Sequence, residues 1–394
     1  MTEKKSTART FGEMLKNEVK NNEKFYFFSP DETTSNRLDA IYDETTRAWS
    51  NLNIEPQDLP EGDGGHIIEL LSENTLFSVM IGHIMAGEPA MMASYESFFT
   101  IIVSQILQQL KFFEQSETVS FRPDYPAVNL LSTSTCWRQD HNGFSHQSPM
   151  LVSALLERPG NKVNCLFPVD SESAKETFKF MMNSENVVNL TTFNKTEEPQ
   201  YINPEHAKYQ FENGASVFNL NNKRGEFVDP GKEGLGEADI VFATAGDIAT
   251  REAIEAIKSL KEDFPKANFR LINILALSHD KIGTTENQMD KNTFDKMFGK
   301  VAPIITNFHG YADALKNIIG NYTDETRVIA HGFEEHGSTT TPFDMLALNH
   351  ASRYDLALDV AKEMHRPDLV EKYEDLIAQN SGHAREFGED LVEL

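Results

Sequence analysis

The sequence predicts an α/β protein with two parallel-sheet domains in one chain. Three observations carry this. Short apolar runs alternate with helical stretches: KVNCLFP (162–168) precedes the helical pattern Ser171 to Met182, and VVNLTTF (187–193) follows it. That order is what a parallel sheet with crossover helices requires. The alternation restarts at DIVFA (239–243), with a helix over Thr250 to Leu260 and apolar runs at Phe269 to Leu275, Pro303 to Phe308 and Arg327 to Ala330. The chain of 394 residues is also long for one domain and fits two of about 200. Between the two alternations, Glu198 to Gly236 is rich in Asn, Glu, Gly and Lys, as a connection would be. The expected division is residues 1–200, a linker over 201–236, and residues 237–394.

Lys and Arg total 36 against 61 Asp and Glu, a net charge of -25. That balance argues against nucleic acid or an anionic membrane surface as a partner. A phosphorylated ligand would need a local concentration of cations. Cys136 and Cys165 make no disulfide framework and fit a reducing cytoplasm. The first twenty residues lack the apolar core of a signal peptide. The most apolar long stretch, Phe98 to Phe113, contains Ser, three Gln and Lys, so it reads as a buried helix and not as a membrane span.

In chain order, Phe11, Met14, Leu15 and Val19 share one face of a helix over Thr10 to Asn21. KFYFF (24–28) is a short strand that runs into the polar loop Ser29 to Arg37. Ser, Asp, Thr and Asn there suit a turn and a helix cap, and a capped helix start is also a phosphate site. HIIELL (66–71) is apolar and leads to Ser72-Glu73-Asn74. Glu73 lies between Leu70-Leu71 and Leu76-Phe77, which makes it a candidate for burial, although most glutamates cap helices or face solvent. Tyr95 and Phe98 are spaced as a core pair. Ala127 to Leu131 reads as a buried strand, and SALLE (153–157) as part of a helix. Helices over Ser352 to Met364 and Pro367 to Ala378 close the chain.

Between that strand and the SALLE helix lies LSTSTCWRQDHNGFSHQSP (131–149), which packs Arg138, Gln139, Asp140, His141, Asn142, His146 and Gln147 into one loop. Loops at the carboxyl ends of parallel strands are where open α/β sheets bind ligands. His141 and His146 are five apart across Gly143, so only a curling loop could aim both into one pocket. A solvated polar loop is the plain alternative. Lys195 ends the VVNLTTF run, where a lone lysine is usually solvated. No Cys/His/Asp spacing points to a metal, so His309 and His331 read as structural.

WRQDHNGFSHQ (137–147) resembles a stretch of the xylulose-5-phosphate/fructose-6-phosphate phosphoketolases, which depend on thiamine diphosphate. The resemblance continues through FSPDETTSNRL (28–38), LLSENTL (70–76), ASYESF (93–98), FHGY (308–311) and HGFEEHGSTTTPFDMLALNHASRYDLALDV (331–360). It covers nearly the whole chain and is similar to the C-terminal half of such an enzyme: a pyrimidine-binding domain, then a transketolase-type C-terminal domain that mostly builds the dimer. It implies cleavage of xylulose 5-phosphate with inorganic phosphate to acetyl phosphate and an aldose phosphate.

Residue by residue, the resemblance assigns Glu73 as the catalytic acid that hydrogen-bonds N1′ of the aminopyrimidine. It places Tyr95 and Phe98 against that ring. Ser35 and Arg37 fall in the substrate channel, and Lys195 reaches the substrate phosphate, with Arg138 as a further cation. His141 and His146 suit proton transfer at the sugar oxygens, because an imidazole titrates near neutrality. Asn142 would orient substrate or phosphate. Thiamine diphosphate would be shared with a diphosphate-binding half that also holds Mg2+, so no metal is assigned to this chain. Gly62-Asp63-Gly64 lacks the asparagine of a thiamine-enzyme metal motif and is set aside. Three departures stand out: Asn74 where the family has His, Gly87-Glu88-Pro89-Ala90 where it has Gly-Arg-His-Gly, and Thr196-Glu197-Glu198 after the lysine. Two other readings fit the same residues: a split transketolase-like subunit, and a non-catalytic regulatory or assembly subunit or degenerate half.

Overall fold

The apolar runs become strands of two sheets that share one core. The computed structural model describes residues 4–48, 61–62, 64–133, 135, 137, 144–220, 227–230 and 235–392. Across the larger sheet the order is Lys281–Ile282, Ala276–Ser278, Val163–Leu166, Val188–Thr192, Val128–Thr133, Ala90–Tyr95, Tyr26–Ser29, Ile67–Glu69, Arg47–Ala48 and Glu61–Gly62. From Val163–Leu166 onward each pairing is parallel. The smaller sheet runs Phe227–Val228, Ala215–Phe218, Phe269–Ile274, Ile240–Ala245, Ile304–Phe308 and Val328–Ile329, and its last four strands are parallel.

The expected α/β fold with two sheets is present, and each sheet adds antiparallel edge strands: Ala276–Ser278 and Lys281–Ile282 in the larger, Ala215–Phe218 and Phe227–Val228 in the smaller. Antiparallel edges on parallel sheets are common, because an edge strand pairs on one side only and needs no crossover. Residues 201–236 are also more than a connection. Helix Pro204–Asn213 is capped by Asn203, starts at Pro204 and stops at Gly214, whose φ of 74° few other residues adopt. It feeds a strand of the smaller sheet.

Packing explains why these segments settle where they do. Helix Thr7–Asn21 buries Phe11, Leu15 and Val19, and the Phe11 ring stacks 4.5 Å from Phe193. Phe98–Ile102 is a 3-10 turn that continues as helix Val103–Ser116, burying Ile102, Ile106, Leu110 and Phe113. One apolar cluster contains Phe28, Leu130 and Leu190 from the larger sheet and Val241, Ile272 and Ile304 from the smaller. Register is pinned inside the larger sheet by three buried asparagines: Asn164 Nδ2 donates to Asn189 Oδ1 and Asn189 Nδ2 to Asn129 Oδ1, each at 2.8 Å. A slip of one residue would turn these amides to the other face and leave them unpaired. Among the described residues no helix is long and apolar enough to cross a membrane.

Candidate active site

Residues after strands of the two sheets meet: the Asn194 N–H donates to Asp247 Oδ2 at 2.8 Å, and His309 Nε2 lies 3.0 Å from Glu96 Oε2. Strand Tyr26–Ser29 ends in the loop that carries Glu32. Its carboxylate is only 8% exposed and sits at the end of the neighbouring strand. The Tyr95 N–H donates to Glu32 Oε2 at 3.1 Å and Asn36 Nδ2 donates to the same oxygen at 3.4 Å, while Ser29 Oγ accepts the Glu32 N–H at 3.1 Å. Burial pushes the Glu32 carboxyl up to about 8. The Tyr95 and Asn36 donors oppose that shift, and the charge of Glu73 adds to it. Burial thus favours the protonated form of Glu32 near neutral pH, against the Tyr95 and Asn36 donors and the charge of Lys195.

Aromatic rings line the space beside it. Tyr95 and Phe98 lie 5.8 Å apart, and the His146 ring stands 5.4 Å from Tyr95 and 5.2 Å from Phe98. The Tyr95 hydroxyl donates to Ser35 Oγ at 2.9 Å. Lys195 is not solvated as a lone strand-end lysine would be. It is 6% exposed, and its Nζ lies 4.9 Å from the Tyr95 ring centre, within cation–π range. Ser35 and Arg37 line a cleft of about 350 Å³ with Thr33, Tyr42 and Glu69. Arg37 is exposed, in a left-handed conformation at φ 61°. Glu73 is half-buried, short of full burial, as the first residue of helix Glu73–Met85 behind the Ser72 cap.

The described ends of the central loop are held between the two units. Glu96, 2% exposed, accepts the Ser148 N–H at 3.0 Å and faces His309 Nε2 at 3.0 Å. Trp137 is fully buried with Ile248, Phe333 and Phe343. The Phe144 ring lies so close to Gly337 that a Cβ there would fall 1.9 Å from it. Gly337 thus has a steric reason to be glycine. Arg138, Gln139, Asp140, His141, Asn142 and Gly143 lie outside the described residues, as does Asp63.

Residues 9–184 match the family model for D-xylulose 5-phosphate/D-fructose 6-phosphate phosphoketolase, and residues 195–394 match the C-terminal domain model of the same family. The chain belongs to the phosphoketolase family. A probable phosphoketolase of Bradyrhizobium diazoefficiens is 30% identical over 396 residues, 98% of this chain and 48% of that protein. One of Pediococcus pentosaceus is 32% identical, over 95% of this chain and 47% of that protein. The chain spans about half the length of the curated relatives it matches. Its fold is that of transketolases: the Pichia stipitis enzyme aligns over 92% of this chain and 46% of its own, with a TM-score of 0.66 at 14% identity. A split gene transketolase, described as an inactive β4 tetramer, aligns over 91% of this chain and 98% of its own, with a TM-score of 0.59 at 15% identity.

Within this chain, the structure gathers Ser35, Glu73, Tyr95, Phe98, His146 and Lys195 around the carboxyl ends of the larger sheet. It adds Glu32 and Glu96, which sequence reasoning missed. The loop Gly87-Glu88-Pro89-Ala90 is elsewhere. It precedes strand Ala90–Tyr95, so it lies at the amino end of the strand whose carboxyl end reaches the site, and Glu88 pairs there with His83 at 3.4 Å. The replaced cation and imidazole therefore do not remove a group from the Tyr95 pocket. His309 and His331 are both held by carboxylates, His331 Nε2 by Asp359 at 2.9 Å.

Proposed function

We propose that this chain is the phosphoketolase half that receives the aminopyrimidine of thiamine diphosphate and the sugar phosphate. In the assembled enzyme, xylulose 5-phosphate or fructose 6-phosphate would be cleaved with inorganic phosphate to acetyl phosphate and an aldose phosphate. The observation that carries this is the Tyr95 pocket: an aromatic wall, two acidic side chains close enough to feel each other, and a buried lysine, all at strand carboxyl ends. The donor set fits the ring end of the cofactor. Tyr95 and Phe98 offer flat faces, and Glu73 offers a carboxyl group for N1′. Among the described residues, the buried Ser97 hydroxyl and the Gln147 amide oxygen have no hydrogen-bond partner.

Thiamine diphosphate, when bound, supplies the nucleophilic carbon for carbon–carbon cleavage. The chain's own residues bind, orient and move protons. Glu73 exchanges a proton with N1′. Glu32, protonated at neutral pH, keeps the two acids from carrying two charges against each other. His146, with His141, exchanges protons with the sugar oxygens. Ser35, Arg37, Asn142 and Lys195 hold the phosphate end, where a guanidinium fork and an ammonium are both suited to phosphate. Trp137 and Phe144 pack against Phe333 of the second unit at either end of this loop. Magnesium and the diphosphate are assigned to the half of the relatives that this chain does not span, and a homo-oligomer in the cytoplasm is the expected setting. The rival reading is a split transketolase-like subunit, and assay for acetyl phosphate separates the two.

The test is Glu73→Gln in the enzyme reconstituted with that half. Turnover should fall by roughly 10²-fold or more, the size of a general acid–base contribution. Near wild-type turnover would sink the assignment. Lys195→Ala should raise the Michaelis constant for the sugar phosphate more than it lowers turnover, because it removes a ground-state contact. An unchanged constant would remove Lys195 from the phosphate end.

A further inference from the structure

Lys195 is placed by more than its own sheet. Its loop is gripped by one face of helix Asp247–Asp263, the first helix of the smaller-sheet unit. Asp247 Oδ2 accepts the Asn194 N–H at 2.8 Å while Oδ1 accepts the Ile248 N–H at 2.8 Å. One turn on, Arg251 Nη1 donates to both oxygens of Glu198, at 3.2 and 3.0 Å. Positions 247 and 251 are i and i+4, so they present on the same helix face. Glu198 Oε1 also accepts from Asn194 Nδ2 at 3.2 Å and from Thr196 Oγ1 at 3.1 Å, which closes the loop around the lysine. The Lys195 carbonyl accepts from Ser6 Oγ at 3.0 Å.

The grip is itself anchored. Arg251 Nε and Nη2 donate to Glu252 at 3.1 and 2.9 Å, and Arg353 Nε and Nη2 donate to the same carboxylate at 2.8 Å each. Glu198, Arg251 and Glu252 are all buried. Taking such charges out of water costs several kcal/mol per ion, and apolar residues of the same volume often hold a fold as well. Stability alone is a weak reason for this cluster. What it supplies is geometry, because each paired charge has one place to stand.

We infer that Asp247 and Arg251 are positioning residues for Lys195: they set where its ammonium stands over Tyr95. This rests on the reading of Lys195 as the cation of the phosphate end. The test is nuclear magnetic resonance of the full chain carrying lysine isotope-labelled at the ε-carbon. The Tyr95 ring should shift the Lys195 signal away from the other lysines, and Lys195→Arg identifies it by deleting it. Asp247→Asn leaves an amide that can accept from only one of the two N–H groups. Arg251→Lys keeps the charge but cannot span Glu198 and Glu252. In each, the Lys195 signal should lose more than half of its ring shift while thermal unfolding stays cooperative.

Asp263→Asn is the control, because Asp263 is on the same helix but pairs with Lys372 at 2.7 Å, away from the loop. It should lower the melting temperature without moving the Lys195 signal. If the helix variants fail to fold, Thr196→Val tests the loop directly and should shift the signal in the same direction. A Lys195 signal that stays in place in the folded variants overturns the inference. Titration with inorganic phosphate keeps the two claims apart. A ring-shifted Lys195 signal that ignores phosphate defeats the phosphate reading and leaves the positioning intact.

Discussion

Glu32→Gln should make the chain more stable than the parent at pH 8 and no more stable at pH 4. Glu32 has its folded carboxyl pushed up to about 8, against 4.5 for a free side chain. Burial is the largest cause, and the charge of Glu73 works in the same direction. The sign follows from proton counting. Between about pH 4.5 and 8 the folded chain holds a proton that the unfolded chain has lost, so stability falls as pH rises through that window. Below the window the contribution is fully present, and above it none remains. At about 1.4 kcal/mol per pH unit, the loss across the window is on the order of 5 kcal/mol.

Glutamine carries no charge at any pH, and its amide oxygen can still accept the Tyr95 N–H. The variant should escape the loss, and the difference from the parent should open progressively above pH 5. Urea unfolding of both proteins at pH 4, 6 and 8 measures it. Parallel pH profiles would mean that Glu32 is charged in the folded chain. A residue that lowers stability at working pH and is nevertheless present in a pocket is a candidate for function, since active sites are where such costs are tolerated. The same variant should therefore be more stable and less active in the reconstituted enzyme.

Much of the site was legible because strands and aromatic pairs announce themselves locally. KFYFF, VVNLTTF and DIVFA became strands, and Tyr95 and Phe98, spaced as a pair, lie beside the His146 ring. Glu32 was not legible for a physical reason. In Pro30-Asp31-Glu32-Thr33 it looks like one more turn residue, and its burial depends on the Tyr95 N–H, 63 positions away. Glu96 was hidden in the same way, by a partner 213 positions distant. Residues 201–236 were misjudged from composition, although Asn203, Pro204 and Gly214 are ordinary start and stop signals. The crossing of Ala276–Ser278 onto the other sheet had no local signal, because edge pairing is decided by what remains open after both sheets form.

The chain alone is expected to make no acetyl phosphate and to bind thiamine diphosphate weakly. Under the proposed division, this chain supplies the wall and acids for one end of the cofactor. The other end is a diphosphate, which in water is strongly hydrated and chelates magnesium. Magnesium needs near-octahedral oxygen ligands and usually bridges phosphate oxygens to protein carboxylates. Among the described residues no group of three or more His, Cys, Asp or Glu could hold a metal ion. With a net charge of -25, the chain also repels a free anion at long range, and Lys195 and Arg37 are committed to the sugar phosphate in this reading. Stacking on Tyr95 and a bond to Glu73 would remain, and a ring contact with one hydrogen bond amounts to only a few kcal/mol. That corresponds to millimolar affinity. Adding the half of the relatives that this chain does not span should restore tight binding and turnover together, since both depend on closing the cofactor between the two. Calorimetry with thiamine diphosphate and magnesium, run with and without that half and paired with an acetyl phosphate assay, gives the answer. Micromolar binding and turnover by the lone chain would show that both ends of the cofactor are held within these 394 residues.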